Sequence, residues 1–136
     1  MPEEELALSS EATTQGVHVQ VWSRYSAEHS DPQRSHWFFL YTIRIANVGD
    51  QTVQLLTRQW TITDATGRVE QVQGPGVVGE QPRLEPGEDF EYTSGCPLAT
   101  PFGSMEGTFQ MVTEGEDDGF DAEVARFELR EPHAVH

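Results

Sequence analysis

Trp37-Phe38-Phe39-Leu40-Tyr41-Thr42-Ile43-Arg44-Ile45 sets Trp37, Phe39, Tyr41, Ile43 and Ile45 at every second position. A period of two marks a strand with one buried face, and aromatic and β-branched side chains suit that pleated surface. This stretch predicts a long strand, the clearest of the chain. Towards the N-terminus, Val17, Val19 and Val21 alternate with His18, Gln20 and Trp22 and predict another strand. The polar segment 26–35, with Asp31-Pro32 inside it, joins the two as a loop. Towards the C-terminus, Asn47-Val48-Gly49-Asp50 supplies turn chemistry, and a further strand opens at Val53 and Leu55 and runs on to Trp60 and Ile62. Its apolar phase changes from odd to even between Leu55 and Trp60, so a β-bulge is expected near Thr57 or Arg58.

Beyond that strand, Asp64-Ala65-Thr66-Gly67 reads as a turn, followed by a short strand over residues 68–73. Residues 74–87 read as a loop held by Pro75, Pro82 and Pro86. Phe90 with Tyr92, Met105 to Met111, and Phe120 to Leu129 mark three more strands, with the acidic segment 114–119 as a hairpin turn built on Asp118-Gly119. No window of a dozen residues holds helical spacing without a Gly or Pro to break it. Short strands joined by Gly and Pro turns, about seven in all, predict an all-β fold, a two-sheet β-sandwich, with a small barrel as the alternative. Residues 1–14 are acidic, rich in Ser and Thr and without apolar periodicity, and are expected to form a flexible arm before a single domain over 15–136.

A chain of 136 residues is the size of one domain with one core. With 36% hydrophobic and 23% charged residues it is too apolar for a disordered tail and too interrupted for a membrane span. A formal net charge of -15 repels polyanions, which excludes nucleic acid and anionic membranes as partners. All 8 basic residues are Arg, so Schiff-base chemistry and a phosphate-loop lysine are excluded too. Cys96 is the only cysteine, so no disulfide forms within the chain and no thiolate cluster assembles there. The opening MPEEELALSS lacks the basic and long apolar regions of a secretory signal, and a cytoplasmic location is expected.

Gly74-Pro75-Gly76-Val77-Val78-Gly79 has the spacing G-x-G-x-x-G, which in a dinucleotide site brings backbone amides to a pyrophosphate at a helix N-terminus. Here Pro82 and Pro86 follow, which disfavours that helix, and Glu80 sets a negative charge beside the phosphate seat. The segment is read as a glycine loop shaped for a turn or close packing, and Gly74, Gly76 and Gly79 are the candidate ligand- or partner-binding residues. In Glu114-Gly115-Glu116-Asp117-Asp118-Gly119, acids precede Gly119 by one, three and five residues, as in a calcium loop. The closing bidentate Glu would fall on Ala125, so solvated acids are the reading. His18, His29, His36, His133 and His136 are expected to be surface residues without a metal, and Cys96, with no base or positive setting in view, an inert thiol. Trp60 is expected in the core; the exposure of Trp22 and Trp37 is open.

The segment 55–67 reads LLTRQWTITDATG and resembles the RxWxIxDxxG stretch of the ApaG family, through Arg58, Trp60, Ile62, Asp64 and Gly67. GPGVVGEQP over 74–82, LEPG over 84–87, YTSG over 92–95 and TPFGSMEG over 100–107 follow in the family's order. The acidic start and the lack of Lys depart from it. The resemblance implies a fibronectin type III-like (immunoglobulin-like) sandwich. It also implies an association with cobalt resistance and magnesium efflux, a frequent gene neighbourhood with diadenosine tetraphosphate hydrolysis, and a protein-binding role like that inferred for related domains in eukaryotic F-box and polymerase-interacting proteins. The expected function is a non-enzymatic binding module with an as yet unidentified protein partner, no catalytic residues, no metal and no cofactor. The alternative is a small-ligand sensor that takes a nucleotide or divalent cation at the glycine loop. Pairing through an unpaired sheet edge would allow a homodimer.

Overall fold

Strands with one apolar face must bury it against another sheet, and the computed structural model, which describes residues 8–132, shows two antiparallel sheets packed face to face. The first holds β1 (Ser9–Thr14), β2 (Val17–Tyr25), β3 (Trp37–Asn47) and β7 (Asp89–Leu98) in the order β1-β2-β3-β7. The second holds β4 (Val53–Asp64), β5 (Val69–Pro75), β8 (Phe102–Thr113) and β9 (Gly119–Arg130) in the order β5-β4-β8-β9, and the two-residue β6 (Arg83–Leu84) pairs the start of β4. The expected β-sandwich is the fold.

The alternating residues of the sequence supply the interior. Phe39, Ile43 and Ile45 of β3 and Val17, Val19 and Val21 of β2 are buried, as are Leu55, Phe109, Met111, Phe127 and Leu129 of the facing sheet. Each such side chain contributes about 1.5–3 kcal/mol by leaving water. Trp60 centres this layer: its ring stands edge-on to Tyr41 at 5.7 Å, to Phe109 at 6.0 Å and to Phe127 at 6.1 Å.

The phase change in β4 is a bulge. Leu55 pairs with Met111 and Thr57 with Gln110, which leaves Leu56 as the extra residue. From there the even-numbered side chains face inward, so Arg58 shares the phase of Trp60 and Ile62 rather than that of solvent.

Three expectations are corrected. Within the expected flexible arm 1–14, Ser9–Thr14 form β1, an edge strand paired with β2 through a two-residue turn in which Gln15 and Gly16 both have positive φ, the geometry that suits a tight hairpin; residues 1–7 lie outside the described residues. In the segment 74–87, β5 runs on through Pro75 and β6 interrupts the loop. In the acidic hairpin the left-handed residue is Gly115, while Gly119 opens β9.

Candidate functional site

The two flanks of the sandwich are built differently. On one, the edge of β9 is covered by hydroxyls from the other sheet: Ser10 Oγ donates to Ala125 O at 2.7 Å, Ser23 Oγ donates to Glu128 O at 2.6 Å, and Glu123 N donates to Thr14 Oγ1 at 3.0 Å. On the other, among the described residues, β5 and β7 each pair along one edge only and do not pair with each other. Between them opens a cleft of about 360 Å³.

The glycine segment roofs this cleft. Val77 and Glu80 exchange two backbone hydrogen bonds of 2.8 Å around Val78-Gly79, whose φ values of 43° and 82° give the tight two-residue turn. Val77 is buried and anchors the hairpin to the core, while Val78 stands exposed at its tip. Each candidate glycine has a separate task. Opposite Arg58 in the ladder, Gly74 has no Cβ, and one placed there would lie 2.9 Å from Arg58 Nη1. At φ 61°, Gly76 would drive a Cβ into the Glu80 carbonyl, and Gly79 meets nothing but needs its positive φ. Gly76 N donates to the carbonyl of the bulge residue Leu56 at 2.8 Å, and Gln81 Nε2 donates to the same oxygen at 2.9 Å, so the bulge moors the hairpin. No helix follows, and the amides of Gly76, Val77 and Glu80 are spent inside the protein, which leaves no phosphate cradle of the dinucleotide kind.

Arg58 reaches into the cleft from β4, Tyr41 from β3, and Tyr92 and Ser94 from β7. Arg58 Nη1 donates to Pro75 O and to Gly76 O, both at 3.0 Å, which fixes the guanidinium under the hairpin. Tyr41 is hydrogen-bonded to Ser94. Tyr92, only 8% exposed, has a hydroxyl with no hydrogen-bond partner among the described residues. Burial pushes both phenols above the ordinary tyrosine value, against the opposing pull of the Arg58 charge. The cleft therefore presents neutral hydroxyls and one cation, a set of hydrogen-bond donors walled by Pro75, Val77 and Val78. Sequence reading brought the glycines into view but missed Tyr41, Arg58, Tyr92 and Ser94 as a group. Two signals point to Arg58: the phase change at the bulge, which places an even-numbered charged residue inward, and its position at the head of the RxWxIxDxxG stretch.

Elsewhere, burial pushes the Cys96 thiol up to about 12, which makes it a poor nucleophile. His18 meets Thr13 and His29 meets Ser26, on different parts of the surface; His133 and His136 lie outside the described residues. No three His, Cys, Asp or Glu side chains converge among the described residues. In the acidic hairpin, Glu114 is held by Arg83 at 2.9 Å. Trp22 is 43% exposed on the outer face of its sheet, and Trp37 is half-buried, with its indole N–H donating to Glu131 Oε1 at 3.2 Å.

A family model described as the ApaG domain matches residues 27–113. Protein ApaG of Beijerinckia indica is 52% identical over 119 residues, covering 88% of this chain and 91% of that protein. Protein ApaG of Thiobacillus denitrificans is 52% identical over 120 residues, covering 88% of this chain and 94% of that one. The crystal structure of an ApaA protein from Bordetella pertussis superposes with a TM-score of 0.83 at 48% identity, covering 87% of this chain and 95% of the other.

Proposed function

This chain belongs to the ApaG family, and from that premise we propose that it is a non-catalytic binding module that takes an extended segment of a protein partner along its open flank, between β5 and β7. The observation that carries this reading is the contrast between the flanks: one edge is capped by hydroxyls, while β5 and β7 keep an unpaired edge each beside a cleft. Unpaired edges are templates for an added strand, whose main chain supplies affinity and whose side chains fill neighbouring pockets. The exposed Val69 of β5 and Val78 at the hairpin tip add apolar contact surface at either end. No helix among the described residues is long and apolar enough to cross a membrane. In this reading the partner is met in the cytoplasm, and the family's association with cobalt and magnesium homeostasis runs through that partner.

Photo-crosslinking in the native host tests the assignment. A photoreactive residue at Val78 or Glu70, on the open flank, is expected to trap a defined protein, and one at Glu11 or Glu123, on the capped flank, is not. Equal trapping from both flanks, or none from either, would end this reading.

A further inference from the structure

We propose that the cleft under the glycine hairpin is a carboxylate-binding site whose ligand is a monoanion carrying an apolar group. The inference deepens the binding-module reading and rests on it for the flank concerned. Its first support is an imbalance of donors and acceptors. Arg58 Nη1 is taken by two carbonyls, whereas Nε and Nη2 bond no protein acceptor among the described residues. In the same lining the hydroxyl of Tyr92, a residue only 8% exposed, is buried and has no partner among the described residues either. A buried polar group left unpaired costs about 1–3 kcal/mol, so a native protein that keeps one needs a reason. A carboxylate accepts from a guanidinium and a hydroxyl at once, and such charge-assisted bonds are the strong ones.

The second support is charge. In a chain with a net charge of -15, no acidic side chain among the described residues lines this cleft. The comparison is the larger cavity of about 490 Å³ beside Phe102, whose lining holds Asp64 and Glu128 along with Arg126 and Arg130. At the hairpin the cation has no such counterpart. One guanidinium balances one negative charge; a phosphate dianion would keep a second, against the field of the whole chain. The walls of Pro75, Val77 and Val78 give the apolar part of the ligand a seat beside the donors. Two sources offer this chemistry: the C-terminal carboxylate of a peptide ending in an apolar residue, and a free small organic acid.

The test is titration of the full-length protein, followed by backbone amide NMR, with isovalerate, inorganic phosphate, and a short peptide ending in leucine with its C-terminus either free or amidated. Saturable shifts of the Val77, Val78, Gly79 and Ser94 amides with isovalerate or the free-acid peptide are expected, with the amidated peptide at least about tenfold weaker. A free-acid peptide tighter than isovalerate assigns the site to a chain end, and the reverse order to a small acid. Tyr92→Phe removes the orphan hydroxyl, so it should fold at least as stably as the parent while binding about tenfold more weakly. Phosphate binding at the same amides as tightly as the carboxylates, no saturable shift with either carboxylate, or unchanged affinity in Tyr92→Phe would each overturn the proposal. Crosslinking from Val78 that survives alongside such a failure would leave the binding-module reading standing, and so separates the two.

Discussion

The capped flank and the open flank solve the same physical problem in opposite ways. Both must deal with strand edges, whose backbone groups are free to pair with another chain. On the capped flank, Ser10, Thr14 and Ser23 hand their side-chain oxygens to the backbone of β9, so short polar residues do the work of an additional strand. On the open flank β5 and β7 stay apart, and the gap holds the guanidinium of Arg58 and the unpaired hydroxyl of Tyr92. The difference teaches that sealing an edge in this sandwich takes only a few hydroxyls. The flank that lacks them is the one to which we assign binding.

Breaking the open flank's roof is expected to have the largest effect. Gly76→Val combines a left-handed backbone with a collision against the Glu80 carbonyl, and should cost about 3 kcal/mol in denaturant unfolding. Removing the caps sharpens the contrast from the other side: Ser10→Ala with Ser23→Ala deletes the two hydroxyl hydrogen bonds to β9, and that of Ser23 to Leu8 O, and should cost about 2 kcal/mol. It should also speed amide exchange in β9 while leaving β7 unchanged. The smallest effect separates the flanks by pH. The Cys96 thiol of β7 is raised by burial from 9.0 to about 12, so the folded state holds its proton more tightly than the unfolded chain. The stability this provides is complete below about pH 9 and is lost as pH rises towards 12, on the order of 1 kcal/mol of it by pH 10. Tyr41 and Tyr92, raised in the same direction, add to the loss above pH 10, their ordinary value. Urea titrations from pH 8 to 10 should show this decline, and Cys96→Ala should flatten it.

The fold was legible wherever one face of a strand is buried. Phe39, Tyr41, Ile43 and Ile45 announce β3 because a two-residue period has no other economical explanation. Even the bulge in β4 shows in the sequence as a change of apolar phase. β1 was not legible: Ser9–Thr14 carries no large apolar residue, and what holds it is pairing with β2 and hydroxyl contacts to β9, neither of which leaves a periodic trace. The candidate site was legible only in part. Its glycines are local and form a pattern, but Tyr41, Arg58 and Tyr92 come from three strands and meet only through the packing of the two sheets.

The bulge at Leu56 gives this site an unusual genetic vulnerability. The hairpin finds its mooring carbonyl because β4 carries one residue more than its neighbour needs. Deleting that residue would leave Arg58 facing inward, because Leu55, Thr57 and Arg58 already pair with the consecutive Met111, Gln110 and Phe109, but it would remove the carbonyl to which Gly76 N and Gln81 Nε2 donate, with every side chain of the cleft still encoded. A codon-length deletion would thus remove what no single substitution scan of the lining residues is designed to detect, and length, more than identity, is the property of β4 that conveys the site from one generation of the gene to the next.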